Sequence, residues 1–188
     1  MNRCWRELEG LYSASDRYYH TLTHLERMWA EAEALLPELS YPDAFLLALF
    51  YHDAVYDVER RDNEEKSADL CAEHLRKTDY PEINRVRALI LATKRHESGD
   101  SFDMDAFTDL DLAILGSDPE TYDAYARAIR LEYGRFRPED NERGRGEILR
   151  RFLSLPAIYK TPRFREKYEA LARANLTREL SFIREILS

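Results

Sequence analysis

The chain has 188 residues, a formal net charge of −8 at neutral pH, and 44% hydrophobic against 34% charged residues. That length suits one domain able to bury a core without disulfides or a structural metal, and the ordinary apolar content excludes a disordered or fibrous chain. The acidic balance argues against a nucleic-acid polymer as partner, since no basic excess exists to neutralise phosphates, although a small phosphorylated ligand needs only a few local cations.

Nearly every segment repeats with helical period, and none alternates as a half-buried strand does. The amino terminus, Met1-Asn2-Arg3-Cys4-Trp5, lacks the apolar core of a signal peptide. The first stripe is Leu25, Met28, Trp29, Ala32, Leu35 and Leu36, ending before Pro37. Pro42 opens a second helix, apolar nearly all round through Val55, which belongs at the centre of a bundle. Asp62-Asn63 caps a third, carrying Leu70, Cys71 and Leu75. Pro81 begins a fourth, with Ile83, Val86, Leu89 and Ile90 inward, and the polar stretch from Glu97 to Ser101 is a loop.

Phe107, Leu110, Ile114 and Leu115 define a fifth helix stopped by Gly116. Asp118-Pro119-Glu120 is a cap followed by proline at the first helical position, and Tyr122, Tyr125, Ile129 and Tyr133 line the helix after it. Gly144 and Gly146 weaken the next segment, which settles into a helix over Ile148, Leu149, Phe152 and Leu153. The mixed-sign stretch from Arg135 to Arg151 reads as a solvated loop and helix face. Pro162 opens the last and longest helix, with a stripe from Phe164 to Leu187. These elements make a single all-α domain, a helical bundle. Two isolated cysteines, Cys4 and Cys71, suit a reduced cytoplasmic compartment, and no run approaches the ~20 apolar residues of a membrane span.

The chemistry centres on Ala48-Leu49-Phe50-Tyr51-His52-Asp53-Ala54-Val55-Tyr56-Asp57. A histidine and an aspartate side by side in so apolar a run are costly to bury unless something compensates them. A bound cation does so by making both into ligands. His20 and His24 are four apart, which places both on one face of a helix, and His24 leads into the inward stripe. Asp111 lies four after Phe107 and three before Ile114, on an apolar face where desolvation penalises an unpaired carboxylate. Two imidazoles and two carboxylates from three helices would form a divalent-metal site with open positions. Any one of these histidines taken alone also reads as a hydrogen-bonded core residue. His74, amid Glu73, Arg76 and Lys77, reads as solvent-exposed. No glycine-rich phosphate loop, serine elbow or thiol–imidazole arrangement is present.

Six words then occur in order: Arg17-Tyr18-Tyr19-His20-Thr21-Leu22-Thr23-His24-Leu25, Tyr51-His52-Asp53-Ala54-Val55-Tyr56, Asp62-Asn63-Glu64-Glu65-Lys66-Ser67-Ala68, Thr93-Lys94-Arg95-His96, Asp109-Leu110-Asp111-Leu112-Ala113-Ile114-Leu115-Gly116 and Ala172-Arg173-Ala174-Asn175-Leu176. Together they resemble the HD superfamily of metal-dependent phosphohydrolases, and within it a bacterial branch of predicted metal-dependent HD phosphohydrolases. The resemblance implies a helical domain with its metal site within about residues 17–116 and helices over 118–187 completing the pocket. It implies His24, His52, Asp53 and Asp111 as ligands of one divalent ion, which Mn, Co, Ni, Fe, Mg or Zn would satisfy. Asp109 competes with Asp111 for the last place. Asp111 is preferred because related proteins carry the ligand ahead of a short apolar turn, which leaves Asp109 as its support or as an exposed acid of a helix first turn.

The Tyr-His-x-x-x-His arrangement also resembles the start of the cyclic-nucleotide phosphodiesterase signature, which makes His20 a general acid, or else a histidine packing beside the site. Asp57 and Glu64 would orient the attacking water, as acids after the doublet do in related guanosine-tetraphosphate hydrolases; otherwise they end and open helices. Lys66 and Lys94 would neutralise a phosphate, against the default of solvated lysines. His96 would lie near the substrate, since with only His74 and His96 between the doublet and Asp111 a second metal is not expected. Tyr133, Arg145, Tyr159, Arg173 and Asn175 would shape the pocket, with an Arg173–Glu169 pair as the structural alternative. The expected function is hydrolysis of a small phosphorylated, nucleotide-type molecule through a metal-activated water, the rival being a non-catalytic metal- or nucleotide-binding sensor. No nucleic-acid polymer or membrane is expected as partner, and exposed-looking aromatics leave a homodimer open.

Overall fold

The computed structural model describes residues 3–188; Met1 and Asn2, part of the stretch read above for a leader, lie outside the described residues. All regular structure among these residues is helical: α1 Arg3–Tyr12, α2 Leu22–Ala32, α3 Pro42–Tyr51, α4 Asn63–Leu75, α5 Ile83–Ala92, α6 Phe102–Asp111, α7 Pro119–Glu132, α8 Pro138–Ser154 and α9 Pro162–Leu187, with 3₁₀ turns at Leu36–Glu38 and Leu112–Gly116. None of these helices is long and apolar enough to cross a membrane. Two compact units result, one ending at Asp111 and the other running from Leu112 to Ser188.

In the first unit α3 is the axis. Ala44, Phe45, Ala48 and Leu49 have no exposed surface, and α2, α4, α5 and α6 all pack against this helix. Phe45 meets Phe107 of α6 edge to face, 5.1 Å between centroids, an arrangement that suits the ring quadrupoles. Pro42 at the first helical turn suits α3 because its missing N–H would have no intrahelical acceptor there. The chain just before it is tied down by Asp103, which accepts from the N–H groups of Ser40 (3.0 Å) and Tyr41 (2.9 Å).

Several sequence expectations are corrected. α3 stops at Tyr51 rather than Val55, because side chains from elsewhere take over the backbone groups that would have continued it. His20 precedes α2 instead of sharing a helix with His24. Asp62 holds the N-cap position of α4, but its carboxylate turns to Arg60 (2.8 Å) and makes no cap bond. α6 begins at Phe102, ahead of its apolar stripe, and closes at Asp111, the next residues tightening into a 3₁₀ turn. His74 is buried, its Nδ1 2.8 Å from the Tyr51 hydroxyl and its Nε2 3.3 Å from Glu7. Both partners come from elements outside its own helix, so its charged neighbours in sequence gave the wrong exposure. The sequence reading has no counterpart to α1, whose buried contribution is only Leu8 and Tyr12.

In the second unit Asp118 caps α7 as expected, accepting from Glu120 N–H (3.1 Å) and Thr121 N–H (3.0 Å). α8 is helical from Pro138 and runs through both glycines, so of the stretch read as loop and helix face only the residues before Pro138 lie outside the helix. Gly116 does end its turn, but for a reason other than a left-handed cap. A β-carbon there would lie 2.5 Å from Cβ of Tyr168 and 2.7 Å from its carbonyl oxygen, so only glycine lets α9 approach. Asn175 donates to the carbonyls of Leu115 (3.0 Å) and Ser117 (2.9 Å), and Tyr159 OH donates to Leu112 (3.0 Å). Arg173 pairs with Glu169 (2.7 Å), the structural alternative.

Arg145 and Glu179 are 8% and 4% exposed and form a two-pronged pair at 3.1 and 3.0 Å, to which Tyr122 and Arg130 add further donors. Removing Arg145 breaks the two-pronged pair and leaves the buried Glu179 with Arg130 and the Tyr122 hydroxyl alone, an under-compensated charge in the interior. Arg145→Met is therefore expected to lower stability by about 3–5 kcal/mol, read by urea unfolding followed by circular dichroism.

Candidate metal centre

Four side chains of the first unit converge: His24 from the first turn of α2, His52 and Asp53 from the turn that follows α3, and Asp111 from the last residue of α6. Each offers one nitrogen or oxygen, and these atoms lie within 4.8 Å of one another. His24 Nε2 and His52 Nε2 are 3.2 Å apart. Asp53 Oδ2 is 3.0 Å from His52 Nε2 and 3.9 Å from His24 Nε2. Asp111 Oδ1 stands 3.4 and 3.6 Å from the same two nitrogens.

The spacing suits one ion. Donor atoms about 2.1 Å from a first-row cation stand roughly 3.0–4.2 Å from each other, the range in which most of these separations fall. The donor chemistry fits as well, since imidazole with carboxylate suits several first-row divalent ions. His52 is aimed by its other nitrogen: Nδ1 donates to the carbonyl of Leu49 (2.9 Å), which leaves Nε2 to face the cluster. Asp111 is aimed similarly. Its Oδ2 is 2.9 Å from His96 Nε2, so Oδ1 is the oxygen presented inward.

His24 and His52 are 3% and 1% exposed, and the electrostatics record the strain of gathering these groups. Burial disfavours the charged form of His24 and lowers its pKa despite the nearby Asp111. For His52 burial acts in the same sense, but Asp53 and Asp111 outweigh it and raise its pKa well above the ordinary value. Burial works against ionisation of the two carboxylates, yet the surrounding imidazoles hold Asp53 below its usual range and Asp111 well below. Without a cation, these directions favour a protonated His52 between the two carboxylates, which offsets part of their charge.

The other candidates fall around this cluster in different ways. His20 Nε2 lies 3.8 Å from Asp53 Oδ2, and its ring stacks on Tyr56 with centroids 4.0 Å apart. His96 reaches Asp111, held by a left-handed backbone (φ 52°) after α5. Asp109 is fully buried and outside the converging group, so its reading as an exposed acid is corrected. Asp57 and Glu64 are also outside it. Asp57 Oδ1 accepts from Glu59 N–H (2.9 Å), and Glu64 is 3.7 Å from Lys94. Lys94 is engaged by Glu65 at 2.5 and 2.7 Å and by the carbonyl of Arg61 (2.6 Å), while Lys66 is exposed.

Three residues that support the cluster had no role in the sequence reading. Tyr12 OH accepts from Asp53 N–H (3.2 Å), Arg17 donates to the carbonyls of Asp53 (2.7 Å) and Ala54 (2.8 Å), and Ser67 exchanges hydrogen bonds with both backbone groups of Val55. These contacts span 12 to 41 residues of sequence, and no periodic pattern announces them. No family model, curated protein or solved structure matches the chain.

Binding a cation requires His52 Nε2 without its proton, so each ion bound should release about one proton. Apparent Co²⁺ or Mn²⁺ affinity is expected to rise with pH until the raised pKa of His52 is passed. Calorimetry in two buffers of different ionisation enthalpy measures the release, and an affinity independent of pH would contradict it. Stability of the cation-free protein runs the other way. The contribution from His52 is complete below its unfolded value of about 6.5 and is lost as pH climbs through the raised folded value. That from Asp53 and Asp111 is present above about 4 and is lost as pH falls through their depressed values.

Proposed function

We propose that the protein is a metal-dependent phosphohydrolase acting on a small phosphorylated molecule, of nucleotide type, and that it belongs with the HD enzymes its sequence words resemble. One observation carries the reading: two buried imidazoles and two carboxylates gather at one point with a further, part-exposed imidazole, His20, 3.8 Å from Asp53. A structural cluster would need only internal pairing. A proton donor beside an ion site that four protein ligands leave incompletely enclosed is what hydrolysis asks for.

His24, His52, Asp53 and Asp111 would hold the cation, which when bound lowers the pKa of water and offsets charge on phosphoryl oxygens. The hydrolysis adds water oxygen to phosphorus and breaks the ester P–O bond. His20 Nε2 would deliver a proton to the departing oxygen, its ring held by Tyr56. The proton from water would go to a carboxylate. Glu64 is the better of the two acids, since among the described residues its carboxylate pairs with Lys94 alone, at 3.7 Å, whereas Asp57 Oδ1 is engaged by Glu59 N–H. Lys66, exposed on α4, is the freer of the two lysines to meet phosphate, because Lys94 already serves Glu65.

The test is turnover by the purified protein on a panel of nucleotides and simple phosphomonoesters, with Mn²⁺, Co²⁺, Ni²⁺ and Mg²⁺ supplied in turn. Asp53→Ala should abolish hydrolysis and weaken metal binding by more than the about 10–100-fold typical of outer partners, while circular dichroism stays unchanged. His20→Ala should lower kcat about 10²–10⁴-fold and leave metal affinity within a factor of about three. Saturable nucleotide binding with no turnover under any metal would replace the enzyme by a sensor.

A further inference from the structure

Arg17 is 8% exposed, yet it forms no ion pair among the described residues. Its guanidinium instead spends its donors on main-chain carbonyls: His20 (3.1 Å) and Asp53 (2.7 Å) from Nη1, and Ala54 (2.8 Å) from Nη2. The planar group also lies between two rings, 5.0 Å from the centroid of Tyr12 and 5.6 Å from that of Tyr56. Each of those rings leads back to the cluster. Tyr12 OH takes the N–H of Asp53 (3.2 Å), and Tyr56 stacks on His20.

Burying a guanidinium without a carboxylate partner is costly. Three carbonyls and two aromatic faces offset that cost, and the choice of carbonyls is informative. One belongs to the segment before α2, two to the turn after α3, and these segments carry the candidate proton donor and the carboxylate nearest to it. Neither segment is helical at these residues, so no helix ladder fixes their separation.

We propose that Arg17 is a positioning residue of the metal centre, holding the main chain of His20 against that of Asp53 and Ala54 and so fixing the orientation of the Asp53 carboxylate. The assignment rests on the metal-centre reading of the four converging side chains. Lysine cannot substitute. Its ammonium is a single point with diverging donors, whereas the guanidinium fork spans adjacent carbonyls in one plane and stacks on rings. Both backbone polar groups of Asp53 are held from outside its own segment, the N–H by Tyr12 and the carbonyl by Arg17.

The experiment compares the full-length chain with Arg17→Lys, and with Arg87→Lys as a control that alters an arginine bound to Ala68 O and Asp69 in the same unit. In cation-free protein, amide hydrogen exchange of Arg17→Lys should quicken at least about tenfold at residues 19–21 and 53–56 and stay unchanged in α4 and α5. With Co²⁺, the variant should bind about 10–100-fold more weakly, and its d–d absorption at saturation should differ in position and intensity from that of the parent. Altered ligand geometry moves that spectrum; a general loss of stability does not. Arg87→Lys should leave exchange at those segments and the cobalt spectrum as in the parent. An Arg17→Lys protein with parental exchange would overturn the proposal, and so would one with parental cobalt affinity and spectrum. Should the parent itself bind no cobalt, the metal reading falls, and with it the role proposed for Arg17, whatever the exchange shows. Parental cobalt binding combined with an unaltered Arg17→Lys variant leaves the metal reading standing and sinks only the positioning role.

Discussion

Two ionised carboxylates held this close repel each other unless positive charge stands between them. Asp53 and Asp111 both approach His52 Nε2, at 3.0 and 3.6 Å, and much of the first unit is arranged around that constraint. The helices bring the four groups to the pocket at their ends rather than along their sides: His24 in a first turn, His52 and Asp53 just past a last turn, Asp111 at a terminus. An end-on arrangement lets the side chains meet without requiring the helix axes to approach closely. It also leaves the terminal backbone groups needing partners, and several of those partners are the supporting side chains of the site. The site and the helix ends are thereby stabilised by the same contacts.

The charge left over explains why the pocket is suited to a divalent ion: two carboxylates outnumber the one imidazolium, and the ion brings one more positive charge than the proton it displaces. Without an ion, the two carboxylates outweigh burial and favour the protonated form of His52. For His24 burial is the larger effect and favours the neutral form. The two histidines, whose Nε2 atoms face each other at 3.2 Å, thus serve as one charge carrier and one lone-pair donor. Two adjacent imidazolium ions would repel each other, and two neutral rings would leave the carboxylates uncompensated.

The apolar run before the His-Asp doublet was legible because burial leaves a compositional trace: α3 is central, and its apolar residues say so. The inward aspartate at 111 was legible through its spacing from Phe107 and Ile114. What could not be read is everything that depends on contacts remote in sequence. Tyr51 is the last residue of α3 because Tyr12, Arg17 and Ser67 engage the turn beyond it, and the local sequence through Val55 gives no sign of this. His74 looks solvated among its charged neighbours until Glu7 and Tyr51 are placed on either side. Helix α1 escaped notice for a related reason: with two buried residues, its stripe is too short to count, although Tyr12 contributes directly to the support of Asp53. The Arg135–Arg151 stretch misled in the opposite sense. Its glycines and charges suggest a solvated loop and helix face, but the helix begins at Pro138, and Glu142, Arg145 and Gly146 are buried in it.

The left-handed backbone at His96 is the sole instance at a non-glycine position among the described residues, and it narrows what evolution or engineering can place there. Glycine would relax the main chain but has nothing with which to reach Asp111. Asparagine tolerates the conformation, though its side chain is shorter than an imidazole reaching through Nε2. β-Branched residues are excluded on steric grounds. Two independent requirements, one on the torsion angle and one on reach, therefore intersect at a single side chain, so an exchange here that looks mild by polarity or size would fail at least one of them.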